Sequence, residues 1–231
     1  MAILKRVPIP GGPGEGRREA FRALSKLVLE GGVLAYPTET VYGLGCWAFC
    51  ESSVGRVRAL KGAALERPFI LLIPRVEWLG ILASPSDAAN LLGRAFWPGP
   101  LTLVLEARGD LPPYLLGEEG TIAVRHSSSE FVRDLFGWLD EPLVSTSANP
   151  ENLPPAASAE EVIRYFAAHA ETIDALVECS SPMIGRASTV VSLAGDKVSI
   201  LREGPIPGER VREALRDVSS SPGHGGSPHR E

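Results

Sequence analysis

The sequence predicts an α/β fold built on a mixed, twisted sheet flanked by helices, and three observations carry that reading. Short runs such as VLAY at 33–36 and FILLI at 69–73 are apolar on both faces, as strands are when helices cover a sheet from both sides. Stretches with apolar residues at helical spacing alternate with these strands early in the chain, whereas later strands follow one another directly, which argues against a purely parallel, doubly wound sheet. The 24 glycines and 20 prolines among 231 residues imply many tight turns and argue against a coiled coil or a bundle of long helices.

In RREAFRALSKLVLE, Phe21, Leu24, Leu27 and Val28 form the one-sided stripe of an amphipathic helix over 17–30, which Gly31 and Gly32 stop. The strand at 33–36 follows, and Pro37 forces the chain out of the ladder, so the residues after it read as a loop at a strand end. A short helix at 54–61 leads to the strand at 69–73, then to a helix at 86–96 with Ser86 or Asp87 as its cap. Further strands are read at 101–107, 121–125, 142–147, 174–179, 188–193 and 198–203, with helices at 129–139, 158–170 and 209–217. Residues 1–16, broken by proline and glycine, are expected to be flexible. Residues 17–217 are expected to form one domain and 218–231 a disordered tail, whose composition buries too little to order itself.

An apolar share of 44% and a charged share of 22% are those of a soluble globular chain. No apolar run approaches the roughly 18 to 20 residues needed to cross a bilayer, so a cytoplasmic location without a membrane partner is expected. Cys46, Cys50 and Cys179 are an odd number suited to a reducing compartment, and without a second ligand pair at zinc spacing they read as buried free thiols. A net charge of -5 argues against a generic polyanion binder and leaves room for a local basic groove.

Chemistry concentrates at predicted strand ends. YPTETVYGLG places hydroxyls, one carboxylate and two glycines just after a buried strand, where open α/β sheets hold ligands. A capped turn, with Thr38 or Thr40 bonding local backbone, fits the same residues. Lys61 ends a short helix and Arg67 precedes the strand at 69–73; such cations suit either a phosphate or a solvated helix end. Arg125 closes an otherwise apolar strand, poised rather than buried, with Thr121 on its face. Ser145 and Ser147 share a face before Asn149, and Ser188, Thr189 and Arg202 stand at strand ends in the same manner. There is no GxSxG, no HExxH and no Walker-type GxxxxGK[ST], which disfavours a hydrolase triad or a P-loop.

The series GGVLAYPTETVYGLG, KG followed by RPFILLI, FWPGPLTLVL, TIAVRHSSS, PLVSTSAN, STVVSL and ILREGPI resembles the YrdC/Sua5 family over about residues 31–208. The resemblance implies a large concave cavity on the sheet and a threonylcarbamoyl-AMP synthase. In that reaction L-threonine and bicarbonate give a carbamate that attacks the α-phosphate of ATP, releasing pyrophosphate. A downstream threonylcarbamoyl transferase complex would use the product on tRNA. By position, Thr40, Arg125, Ser145 and Ser188 match the threonine-binding set, while Lys61, Thr121, Ser147, Asn149 and Arg202 match the nucleotide set. Magnesium would bridge the phosphates, with no metal held by protein side chains alone.

Three positions depart from the family pattern. Ala63 stands where an arginine is expected, Arg67 where asparagine is common, and Leu72 where many members carry histidine. Arg67 is expected to supply the missing charge, so that Lys61 and Arg67 together carry the catalytic charge at the triphosphate. The competing reading is an RNA-binding protein of the same fold, contacting tRNA or double-stranded RNA without synthase activity; pyrophosphate release dependent on threonine and bicarbonate separates the two. Carbamoyl-adenylate chemistry of the hydrogenase-maturation type is disfavoured, because no acylphosphatase or zinc-finger segment is seen in the sequence.

Overall fold

A computed structural model describes residues 4–62, 68–180, 182–195 and 197–216. In chain order its elements are β1 (Arg6–Pro8), α1 (Glu15–Leu29), β2 (Leu34–Pro37), β3 (Tyr42–Trp47), α2 (Glu51–Lys61), β4 (Ile70–Leu72), α3 (Trp78–Leu82), α4 (Asp87–Phe96), β5 (Leu101–Glu106), β6 (Thr121–Arg125), α5 (Glu130–Phe136), β7 (Leu143–Ser147), α6 (Ala159–Phe166), β8 (Ala175–Glu178), β9 (Thr189–Ser192), β10 (Ser199–Arg202) and α7 (Gly208–Arg216). Serine side chains start three of the helices: Ser86, Ser129 and Ser158 accept from the backbone N–H groups of Ala89, Val132 and Glu161. Gly31, at φ 89°, lets α1 stop while the Gly32 N–H closes back on Leu27 O.

The strands form a ten-stranded sheet in the order β1-β8-β2-β3-β7-β4-β6-β5-β9-β10. Four neighbouring pairs, β1/β8, β8/β2, β4/β6 and β5/β9, are parallel and the rest are antiparallel, which is the mixed sheet the sequence predicts. One face is packed by α1 and α5, where Phe21, Leu24, Val28, Phe131 and Leu135 meet Leu34, Tyr36, Leu72 and Leu143. The other face carries the larger core, in which residues of α2, α3, α4, α6 and α7 pack on Leu44, Leu71, Leu103, Val144 and Val191.

Three local expectations are corrected. The chain after Pro37 is not an extended loop: it turns at 38–41 and returns as β3, paired with β2 and with β7. Its glycines are a packing requirement. A Cβ at Gly45 would lie 2.5 Å from Val144 O and 2.8 Å from the Tyr36 ring and hydroxyl. Within 1–16, expected to be flexible, β1 pairs with β8 at the sheet edge, Leu4 and Ile9 are buried, and Arg6 pairs with Glu178. A three-residue edge strand in a segment punctuated by proline is too short to leave a pattern. The cysteines are free, but only Cys46 is buried; Cys50 and Cys179 are half-buried. Ala63, Arg67 and the tail at 218–231 lie outside the described residues. Among those residues no helix is long and apolar enough to cross a membrane.

Candidate active site

Sheet register determines which candidate residues meet. Ser145 pairs with Gly45 on one side and with Ile70 on the other, and Ile70 pairs with Ala123. Because side chains alternate, Ser147, Thr121 and Arg125 project from the same face as Ser145. Glycine, serine and alanine leave this part of the sheet low, and α1 and α5 cover the face at its Leu34, Leu72 and Leu143 end. The result is a patch of small side chains, with Tyr36 packed over Gly45, between polar strand ends.

Arg125 ends β6 and anchors one edge. It is buried, not poised at the surface as the strand-end position predicts, because it has an internal partner: Nη2 lies 2.6 Å from Glu39 Oε1, with the two side chains only 6% and 12% exposed. Glu39 also accepts from the Ser127 hydroxyl at 2.5 Å and from the Ser128 N–H at 3.1 Å. Burial alone would raise the Glu39 carboxyl, but the Arg125 charge and the hydrogen bonds from Ser127, Arg125 and Ser128 bring it below its usual range. Arg125 Nε donates to Gly99 O at 3.2 Å, while both terminal nitrogens reach the Thr40 hydroxyl at 3.3 and 3.4 Å. The guanidinium is thus held firmly along its Nε/Nη2 side and loosely at its terminal fork.

Thr40 is set for this contact by the turn. Thr38 Oγ1 donates to Val41 O and accepts from the Thr40 and Val41 N–H groups, so the capped-turn reading is correct for Thr38. With that proton committed, the Thr40 hydroxyl is the donor in its 2.8 Å contact with Thr38 and keeps its lone pairs for Arg125. The turn is tied from above by Ile184 N–H to Glu39 O and Gly185 N–H to Thr40 O.

A second cluster lies where β7 ends. Lys61 arrives from α2, beneath the opposite face, and is buried, not a solvated helix end. Its ammonium donates to Ser147 O, Asn149 O and Asn149 Oδ1. Burial lowers its pKa to about 8, with Glu151 partly opposing the shift. Asn149 in turn donates to Pro150 O and Leu153 O, which fixes the turn after β7. Between the clusters, the Tyr36 hydroxyl donates to Ser145 Oγ at 3.0 Å.

The structure therefore brings Thr40 and Arg125 together, and Lys61 with Ser147 and Asn149. Ser188 is buried beside the first cluster, bonded to Thr102 at 2.8 Å, and Arg202 Nη2 donates to it at 3.1 Å. Arg202 thus sits beside a threonine-set residue, away from Lys61. Thr121 lies at the far end of β6 from Arg125, about 13 Å away at strand rise, and its hydroxyl donates to Glu118 O. Glu39 is the residue sequence reasoning left unassigned; its position as the lone carboxylate in a strand-end turn was the available signal. Two hollows, of about 440 Å³ between β10 and α7 and about 510 Å³ between residues 12–14, α1 and α5, lie elsewhere; the expected large cavity on the sheet face is not one of them.

The family model described as Telomere recombination, of Sua5, YciO and YrdC, matches residues 26–204. The chain belongs to this family. It is 34% identical over 203 residues to the threonylcarbamoyl-AMP synthase of Pyrococcus abyssi, covering 87% of this chain and 59% of that protein. It is 39% identical over 146 residues to the threonylcarbamoyl-AMP synthase of Nitrosococcus oceani, covering 63% and 79% respectively. The crystal structure of P. abyssi Sua5 complexed with L-threonine superposes with a TM-score of 0.82 at 32% identity, covering 93% of this chain and 61% of that one. E. coli YciO, at 23% identity and a TM-score of 0.78 over 91% of this chain and 100% of its own, shares the fold.

Proposed function

We propose that this chain makes threonylcarbamoyl-AMP and pyrophosphate from L-threonine, bicarbonate and ATP, the last as its magnesium complex. The observation that carries the reading is the terminal fork of Arg125, held at its other side by Glu39 and Gly99 and facing, among the described residues, only the neutral Thr40 hydroxyl at 3.3 and 3.4 Å. A planar guanidinium with a weakly occupied fork suits a carboxylate, whose charged oxygens make shorter and stronger bonds than a hydroxyl. The P. abyssi relative complexed with L-threonine supports an amino acid as that ligand.

The chemistry requires no protein nucleophile. The threonine nitrogen forms a C–N bond to the bicarbonate carbon with loss of water. A carbamate oxygen then bonds to the α-phosphorus, and the bond from that phosphorus to the pyrophosphate oxygen breaks. Such transfers depend on positioning and charge neutralisation. In this reading Arg125 and Thr40 hold threonine, with Ser145 and Ser188 beside them. Lys61 fixes the Ser147–Asn149 turn and adds positive charge near the phosphates, Arg67 adds a second, and Thr121 and Arg202 contact the nucleotide from the flanks. The product is a mixed anhydride suited to a transferase acting on tRNA in the cytoplasm. Pyrophosphate release that requires both threonine and bicarbonate tests the proposal; nucleotide binding or RNA binding without that release would favour the non-catalytic reading.

A further inference from the structure

Arg125 and Glu39 sum to zero charge in a place largely withdrawn from water, at 6% and 12% side-chain exposure. A ligand entering beside a neutral buried pair is favoured if it is neutral overall, because each uncompensated charge brings its own desolvation cost. An α-amino acid meets this condition: its carboxylate matches the guanidinium fork and its ammonium stands in the field of the nearby carboxylate. Glu39 has the capacity for it. Its Oε1 already takes Arg125 Nη2 and the Ser128 N–H, whereas among the described residues Oε2 takes only the Ser127 hydroxyl and keeps acceptor capacity.

We propose that Glu39 sets the class of acid accepted at Arg125, selecting zwitterionic amino acids over carboxylates that lack the ammonium group. The inference rests on the reading that Arg125 receives the threonine carboxylate. A carboxylic acid with no amino group would place a second negative charge beside Glu39 with nothing to offset it. Replacing Glu39 by glutamine keeps the shape and an acceptor for Arg125 but leaves the site with a net positive charge, which favours the plain anion instead.

The test is calorimetric binding of L-threonine and of 2,3-dihydroxybutanoate, the same acid with a hydroxyl in place of the ammonium, to the full-length chain. The wild type is expected to prefer threonine by about ten-fold or more, and Glu39→Gln to lower that ratio by about ten-fold, or about 1.4 kcal/mol. Glu39→Asp, which keeps the charge, should retain most of the preference. A ratio within about two-fold of wild type in folded Glu39→Gln overturns the proposal and leaves the threonine reading standing. If Glu39→Gln does not fold, the wild type decides: affinities for threonine and 2,3-dihydroxybutanoate within about two-fold of each other overturn the proposal. Absence of threonine binding to the wild type overturns both.

Discussion

Replacing Arg125 by alanine removes the group at which two buried clusters of contacts meet, those to Glu39 and to Thr40 and Gly99. The loss of a charge-assisted, bidentate carboxylate contact costs about 2 to 3 kcal/mol, so kcat/KM for threonine should fall by roughly thirty-fold or more, with the KM for ATP little changed. Stability should fall as well, because removing one partner of a buried pair costs about 3 to 5 kcal/mol. This second effect has a sign that depends on pH. In the wild type the Glu39 carboxyl lies below its ordinary value of 4.5, so its contribution is present above that value and is lost as pH falls through the lower, folded one. Without Arg125, burial dominates and raises the same carboxyl, so the variant is best off when Glu39 is protonated and loses stability as pH rises. The gap in Tm between wild type and Arg125→Ala should therefore narrow as pH drops from 7 towards 4. Steady-state kinetics with threonine and ATP varied separately, and melting curves across that range, check both. An unchanged kcat/KM for threonine in a folded variant, or a Tm gap independent of pH, would refute the reasoning.

Lys61 should give a pH signature of its own: as pH rises through about 8 the buried ammonium discharges and the KM for ATP should climb, whereas Lys61→Met should show a flat profile. A flat wild-type profile would count against a charge role for Lys61. Gly45→Ala forces a methyl group to within 2.5 Å of Val144 O and 2.8 Å of Tyr36, and overpacking of that kind should lower stability by about 1 to 3 kcal/mol. Tm reads that loss directly, and an unchanged Tm would mean the hairpin adjusts freely. Arg67→Ala should raise the KM for ATP by roughly ten-fold, about 1.4 kcal/mol, and Ala63→Arg should restore part of it; unaltered ATP use would remove Arg67 from the site.

Most of the sheet was legible because its central strands carry apolar residues on both faces and their helices carry one apolar stripe, patterns that survive without knowledge of the tertiary structure. β3 was not, since Gly43 and Gly45 mimic turn chemistry; their reason is the Tyr36 ring and the backbone of β7, contacts that only the folded sheet creates. β1 and α3 were missed because three and five residues are too few to establish a period. At the site, spacing and resemblance placed Thr40, Arg125, Lys61, Ser147 and Asn149 at strand and helix ends, and the structure clusters them as two groups. The Arg125–Glu39 pair joins residues 86 positions apart in sequence and left no local signature, so Arg125 read as exposed when it is buried. Lys61 read equally well as a solvated helix end, because its acceptors come from the turn after β7, far along the chain.

The most direct measurement of the central claim is the fate of bicarbonate carbon. Purified protein with ATP, magnesium, L-threonine and carbon-13 bicarbonate, analysed by mass spectrometry, should yield a nucleotide containing AMP, threonine and the labelled carbonyl, with one pyrophosphate released for each molecule formed. ADP with orthophosphate, or AMP that carries neither threonine nor label, would contradict the account.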